Sequence, residues 1–79
     1  MIFVLYGVPN CSFCLKAKTL LNEMDIIYEY YEIKTEEKTK FLDEISEKTN
    51  NQRTFPLVFH RGIFVGGYTE LDEYVAFYN

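Results

Sequence analysis

The feature that most constrains this chain is a join. An almost unbroken apolar run, Ile2-Phe3-Val4-Leu5-Tyr6, passes through a short turn into Cys11-Ser12-Phe13-Cys14, which opens a helical pattern. An apolar run without alternation marks a strand covered on both faces. Gly7-Val8-Pro9-Asn10 has turn composition. Apolar residues then recur at Ala17, Leu20, Leu21 and Met24, the i, i+3, i+4, i+7 face of a helix. Cys11 is thereby placed at a helix N-terminus and Cys14 about one turn inside. Free main-chain N–H groups and the helix dipole favour a thiolate at that end, against an ordinary thiol pKa of about 8.5. Cys14 is expected to be less exposed and less favoured as an anion. The asymmetry assigns roles: Cys11 attacks and Cys14 resolves.

Other uses of the pair fit less well. Cys11 and Cys14 are the only cysteines, whereas a secreted scaffold carries more, spread along the chain. A bridge between them closes almost no loop and adds little as a staple. Structural zinc needs four ligands, and only His60 could join the two thiols. A redox dithiol is the reading that remains, with no metal called for.

Further along, Ile26 to Ile33 is β-branched and aromatic, hence a second strand, parallel to the first because a helix separates them. Lys34 to Thr49 is charged, with Phe41, Leu42 and Ile45 as an apolar stripe, and is expected to be a second helix. Leu57-Val58-Phe59 and Ile63-Phe64-Val65 flank His60-Arg61-Gly62 as a hairpin, which places His60 on an exposed turn. Gly66-Gly67 breaks the chain. Thr69-Glu70-Leu71-Asp72 resembles a capped helix start, and Leu71, Tyr74, Val75 and Tyr78 form that helix's apolar face.

The order βαβαββα predicts one α/β domain over residues 1–79, with three helices around a four-stranded mixed sheet. The cysteine pair falls at the carboxyl end of the first strand, where α/β folds place their sites. So short a chain needs large core side chains, and seven Phe and seven Tyr supply them. Tyr6 is expected either in the core or in an apolar rim beside the cysteines, and Phe13, between the cysteines, in solvent. A net charge of −4 disfavours nucleic acid as a partner. No apolar run nears the roughly 18 residues of a membrane span. The N-terminus lacks a basic leader. A soluble, monomeric protein acting in the cytoplasm is the expectation.

Three segments together resemble the glutaredoxin family over essentially the whole chain. Cys11-Ser12-Phe13-Cys14 is similar to its C-[PS]-[YF]-C site. Gln52-Arg53-Thr54-Phe55-Pro56 is similar to its T-V-P segment, whose proline is cis. Gly66-Gly67-Tyr68-Thr69-Glu70 is similar to its G-G-x-[ST]-[DE] segment. The resemblance implies a thioredoxin-like fold and disulfide reduction with glutathione as the reducing cosubstrate and no permanently bound cofactor. It implies glutathione or substrate binding by Phe13, Arg53, Thr54, Phe55, Pro56, Gly67, Tyr68, Thr69 and Glu70. A cis Pro56 would offer the Phe55 backbone to an extended peptide. Gly66-Gly67 would let the backbone approach a ligand, and the helix start at Thr69 would suit the γ-glutamyl carboxylate. Glu70, where the family usually has Asp, either reaches the γ-glutamyl ammonium or serves only as a helix-start acid.

One departure stands out. Many glutaredoxins carry Lys or Arg three residues before the first cysteine, and this chain has Val8. Arg53 is then the remaining anchor for the glycine carboxylate of glutathione, while Lys16 and Lys18 are expected at the surface. The partners implied are glutathione, disulfide-containing or glutathionylated proteins, and ribonucleotide reductase as one protein substrate. Two alternatives are a redoxin recycled by thioredoxin reductase and a glutaredoxin dimer holding a [2Fe–2S] cluster, which Ser12 would permit.

Overall fold

The computed structural model describes residues 2–78; Met1, at the head of the expected first strand, lies outside them. The elements are β1 (Phe3–Gly7), α1 (Ser12–Glu23), β2 (Tyr28–Glu32), a single 3₁₀ turn (Thr35–Glu37), α2 (Lys38–Glu44), β3 (Leu57–His60), β4 (Ile63–Gly66) and α3 (Tyr68–Ala76). The four strands form one mixed sheet in the order β2-β1-β3-β4. β1 runs parallel to β2 and antiparallel to β3, and β3 runs antiparallel to β4. The chain order βαβαββα and the mixed four-stranded sheet are as expected, and β1 and β3 are the inner strands.

Alternation along β1 divides the interior into two faces. Phe3 and Leu5 point to one side, where Ala17 and Leu21 of α1, Val58 of β3, and Leu71 and Val75 of α3 complete a fully buried core. Tyr6 points to the other side. Its ring lies 5.1 Å from that of Phe41 on α2, 5.6 Å from Tyr31 and 6.0 Å from Phe59. Tyr6 is therefore a packing residue, half-buried under α2. Phe13 is 51 % exposed, as expected.

β1 and β4 each run one residue further than expected, through Gly7 and Gly66, and three further boundaries differ for local reasons. β2 begins at Tyr28 because Ile26 belongs to the end of α1. Asp25 adopts a left-handed φ of 56°, and the Ile26 N–H donates to Leu21 O at 2.9 Å, a Schellman-type stop. The second helix is shorter than Lys34–Thr49. The Ser46 hydroxyl donates to Asp43 O at 3.0 Å, and Asn50 and Asn51 turn left-handed, so main chain and side chains find partners outside the helix. α3 starts at Tyr68 and not after Thr69, with Gly67 as its N-cap.

His60 is a correction. It is the last residue of β3, 6 % exposed, and only Arg61 and Gly62 make the turn. Both turn residues have positive φ, 60° and 80°, the geometry of a tight two-residue hairpin loop. His60 faces the core side of the sheet and stacks on Phe3, with centroids 4.0 Å apart and planes 8° apart. Its Nδ1 lies 2.7 Å from the Tyr74 hydroxyl, while its buried Nε2 has no partner among the described residues. Burial lowers its pKa below 6.5, helped by Arg61.

Candidate active site

β1 delivers the chain to the site and Gly7 ends it. Asn10, at φ 57°, then reverses direction so that Cys11 becomes the N-cap of α1. A side chain at that position accepts from the helix's unpaired N–H groups. Here the acceptor is sulfur: the Cys14 N–H donates to Cys11 Sγ at 3.2 Å. Cys11 and Cys14 form a disulfide, with Cα atoms 5.2 Å apart. Cys11 is half-buried and Cys14 is 2 % exposed. The outer sulfur is open to attack by a substrate or a reductant, and the inner one is shielded. Once the bridge opens, the N–H that caps Cys11 stabilises its thiolate.

The Phe55–Pro56 peptide bond is cis, as the resemblance implies. Pro56 is fully buried and turns the chain so that the Phe55 carbonyl lies 3.9 Å from Cys11 Sγ. Beside the cysteines runs a cleft of about 390 Å³ lined by Phe13, Gln52, Thr54, Phe55, Pro56, Gly67, Tyr68, Thr69 and Glu70. Eight of the nine cleft residues were expected from the motifs, which lie far apart in sequence. Phe13 and Tyr68 form one wall, their rings 6.0 Å apart, and Lys16 Nζ sits 4.8 Å over the Phe13 ring.

Gln52 is the cleft residue that sequence reasoning left out of the site. Its Nε2 donates to Thr54 O at 3.3 Å, bracing the approach to Pro56. Its place in the Gln-Arg-Thr-Phe-Pro segment was the available signal. Glu70 takes the helix-start role, one of the two expected for it. Its Oε1 accepts from the Gly67 N–H at 2.8 Å, so it closes the helix start, yet it also lines the cleft. Thr69 is the second residue of α3 and is exposed, with its N–H among those a helix leaves unpaired.

Arg53 does not line the cleft. Its guanidinium pairs with Asp43 of α2 at 2.9 Å and reaches Asn51 Oδ1 at 3.2 Å. Lys18, expected at the surface, is half-buried, with Nζ 4.0 Å over the Tyr30 ring.

A family model described as Glutaredoxin matches residues 3–65. The chain belongs to the glutaredoxin family. Glutaredoxin 1 of Rickettsia felis is 37% identical over 67 residues, 81% of this chain and 62% of that protein. The chain thus spans a little under two thirds of that relative's length. Glutaredoxin 1 of Rickettsia prowazekii is 35% identical over 71 residues, 86% of this chain and 70% of that protein. Among solved structures, glutaredoxin 1 of Francisella tularensis, complexed with cacodylate, superposes with a TM-score of 0.86 at 28% identity, covering 94% of this chain and 91% of that one. Escherichia coli glutaredoxin shares the fold, with a TM-score of 0.67 at 22% identity. The thioredoxin-like glutaredoxin fold and the Cys11–Cys14 pair therefore stand together. No helix among the described residues is long and apolar enough to cross a membrane.

Proposed function

We propose that this glutaredoxin is a thiol–disulfide oxidoreductase that draws electrons from glutathione, and that it reduces protein disulfides and glutathione mixed disulfides. The observation that carries the reading is the helix-capped sulfur of Cys11, 3.9 Å from the carbonyl of Phe55, a wall of a cleft of peptide size. The cis Pro56 turn offers the Phe55 backbone to an extended γ-glutamyl tripeptide. The unpaired N–H groups at the start of α3 suit its γ-glutamyl carboxylate. Glu70, one oxygen of which holds Gly67, faces its ammonium. Arg53 is a reserve anchor for the glycine carboxylate, reachable once it leaves Asp43.

The proposed chemistry has two modes. With a glutathionylated substrate, the Cys11 thiolate attacks the glutathione sulfur and the substrate leaves as a thiolate. A second glutathione thiolate then attacks the mixed disulfide, releasing oxidised glutathione and the Cys11 thiolate. With a protein disulfide, Cys11 attacks one sulfur and Cys14 resolves the mixed disulfide. The resulting Cys11–Cys14 bridge is reduced by two glutathiones. No base is required once Cys11 is ionised, and His60, buried on the far side of the core, has no part. Ribonucleotide reductase is the protein substrate that family membership suggests. A reducing compartment such as the cytoplasm fits the pair's cycling between dithiol and disulfide.

The test is turnover of a small glutathione mixed disulfide by the wild type and Cys14→Ser, with glutathione and, separately, with thioredoxin reductase. Glutathione-driven turnover that survives in Cys14→Ser is the expected result. Turnover with thioredoxin reductase alone would transfer the protein to the other electron donor.

A further inference from the structure

Gly7 meets two side chains at once. A Cβ built there would lie 2.8 Å from Cζ of Tyr30, the carbon that bears the hydroxyl, and 3.0 Å from Cys14 Sγ. Gly7 does not lie in the left-handed region, so it is close approach, not backbone angle, that requires glycine here. The hydroxyl end of Tyr30 and the sulfur of the resolving cysteine therefore crowd the same point on β1. Tyr30 reaches it from β2, opposite Leu5 in the parallel register. Lys18, one helical turn past Cys14 on α1, places its ammonium 4.0 Å over the Tyr30 ring. A cation there draws electron density from the phenol and makes its O–H a better donor.

We propose that Tyr30 donates a hydrogen bond to the Cys14 sulfur as the disulfide opens, with Lys18 holding and polarising its ring. An attacking thiolate forms a new S–S bond to Cys11 Sγ. The Cys11–Cys14 bond breaks, and its electron pair remains on Cys14 Sγ as a thiolate. Cys14 is 2 % exposed, so water serves that leaving group poorly and a fixed donor serves it well. The proton that finally neutralises Cys14 comes from solvent. Burial, with Glu32 and Tyr28 adding to it, holds the Tyr30 pKa above 10, so the donor keeps its proton at neutral pH. Cys11 thus has its donor from α1, the Cys14 N–H, and Cys14 has its donor from β2. The inference rests on the disulfide-exchange reading of this pair but not on glutathione as the electron source.

Two measurements on the full chain test it. The first is the rate at which excess dithiothreitol opens the oxidised bridge in the wild type, Tyr30→Phe and Lys18→Met. Tyr30→Phe keeps the ring and removes only the hydroxyl, and its bridge is expected to open about tenfold more slowly, the effect of losing one hydrogen bond to a charged group. Lys18→Met is expected to slow opening about threefold. The second is thiolate absorbance against pH in Cys11→Ser, where Cys14 is the sole thiol. Adding Tyr30→Phe is expected to lower the Cys14 ionisation constant about tenfold, a shift that a purely packing role would not produce. Wild-type behaviour of Tyr30→Phe in both measurements overturns the inference. Should Tyr30→Phe not fold, Lys18→Met decides, and an unchanged rate overturns the inference. A wild-type bridge that dithiothreitol does not open would overturn the exchange reading itself and the inference with it.

Discussion

At residue scale, the approach to Cys11 lacks a cation at Val8, and Arg53, the expected substitute, is engaged with Asp43. Val8→Lys should tighten glutathione binding by about 1 kcal/mol, the upper range for a charge pair at an exposed site, or about fivefold in affinity. Calorimetric titration checks this, and an unchanged affinity would remove the charge argument. The Arg53–Asp43 pair is open to solvent, its side chains 42% and 63% exposed. Asp43→Asn is therefore expected to cost less than about 1 kcal/mol of stability while freeing Arg53 to turn toward the cleft. A gain in glutathione affinity that disappears in Asp43→Asn with Arg53→Ala would show that Arg53 is the group released. The pairing could not be read from sequence, because Asp43 sits in a charge run with many equivalent acids, and which of them meets Arg53 depends on how α2 ends.

At element scale, α3 separates two roles of one side chain. Glu70 accepts from the Gly67 N–H, the reciprocal half of a capping box, and also lines the cleft. Glu70→Gln keeps an acceptor for Gly67 and removes the charge. Its unfolding midpoint should stay near wild type while glutathione binds more weakly. Glu70→Ala should lose both, with about 1 kcal/mol of stability going with the cap. Equal stability in all three proteins would deny the cap any energetic role.

The elements also show where sequence reading succeeds. β1 and α1 were legible because their apolar periods are clean and lie on either side of the cysteines. α2 was not, because its charged pattern continues past Glu44 while hydroxyl-to-backbone bonds and two left-handed asparagines end the helix. The start of α3 was placed too late because Thr69 mimics an N-cap, whereas the cap is Gly67, a residue with no side chain to announce it.

At the scale of the whole molecule, the buried His60 ties stability to pH. Its folded pKa is lowered by burial, then by Arg61, against an unfolded value of about 6.5. The unfolded chain therefore binds a proton that the folded chain refuses. The contribution is fully present above about pH 6.5 and is lost as pH falls through the lowered folded value. Denaturant midpoints at pH 7.5 and 5 should differ more in the wild type than in His60→Phe, and equal differences would clear His60 of the effect. The burial of His60 was not legible because a histidine beside Arg-Gly reads as loop. Its place is fixed by register, which sets it opposite Phe3. The cleft was legible almost entirely, since three short motifs name its walls. What the motifs could not give was the ground beneath Cys14, where Gly7, Tyr30 and Lys18 meet from three different elements.

The disulfide spans a single turn of one helix. Opening it frees almost no chain, and neither the strand pairing nor the buried cluster around Phe3, Leu5 and Leu21 includes it. The oxidation state is in that sense a message written in one place: a partner that must tell the oxidised protein from the reduced one finds the bond that changes only beside the cleft.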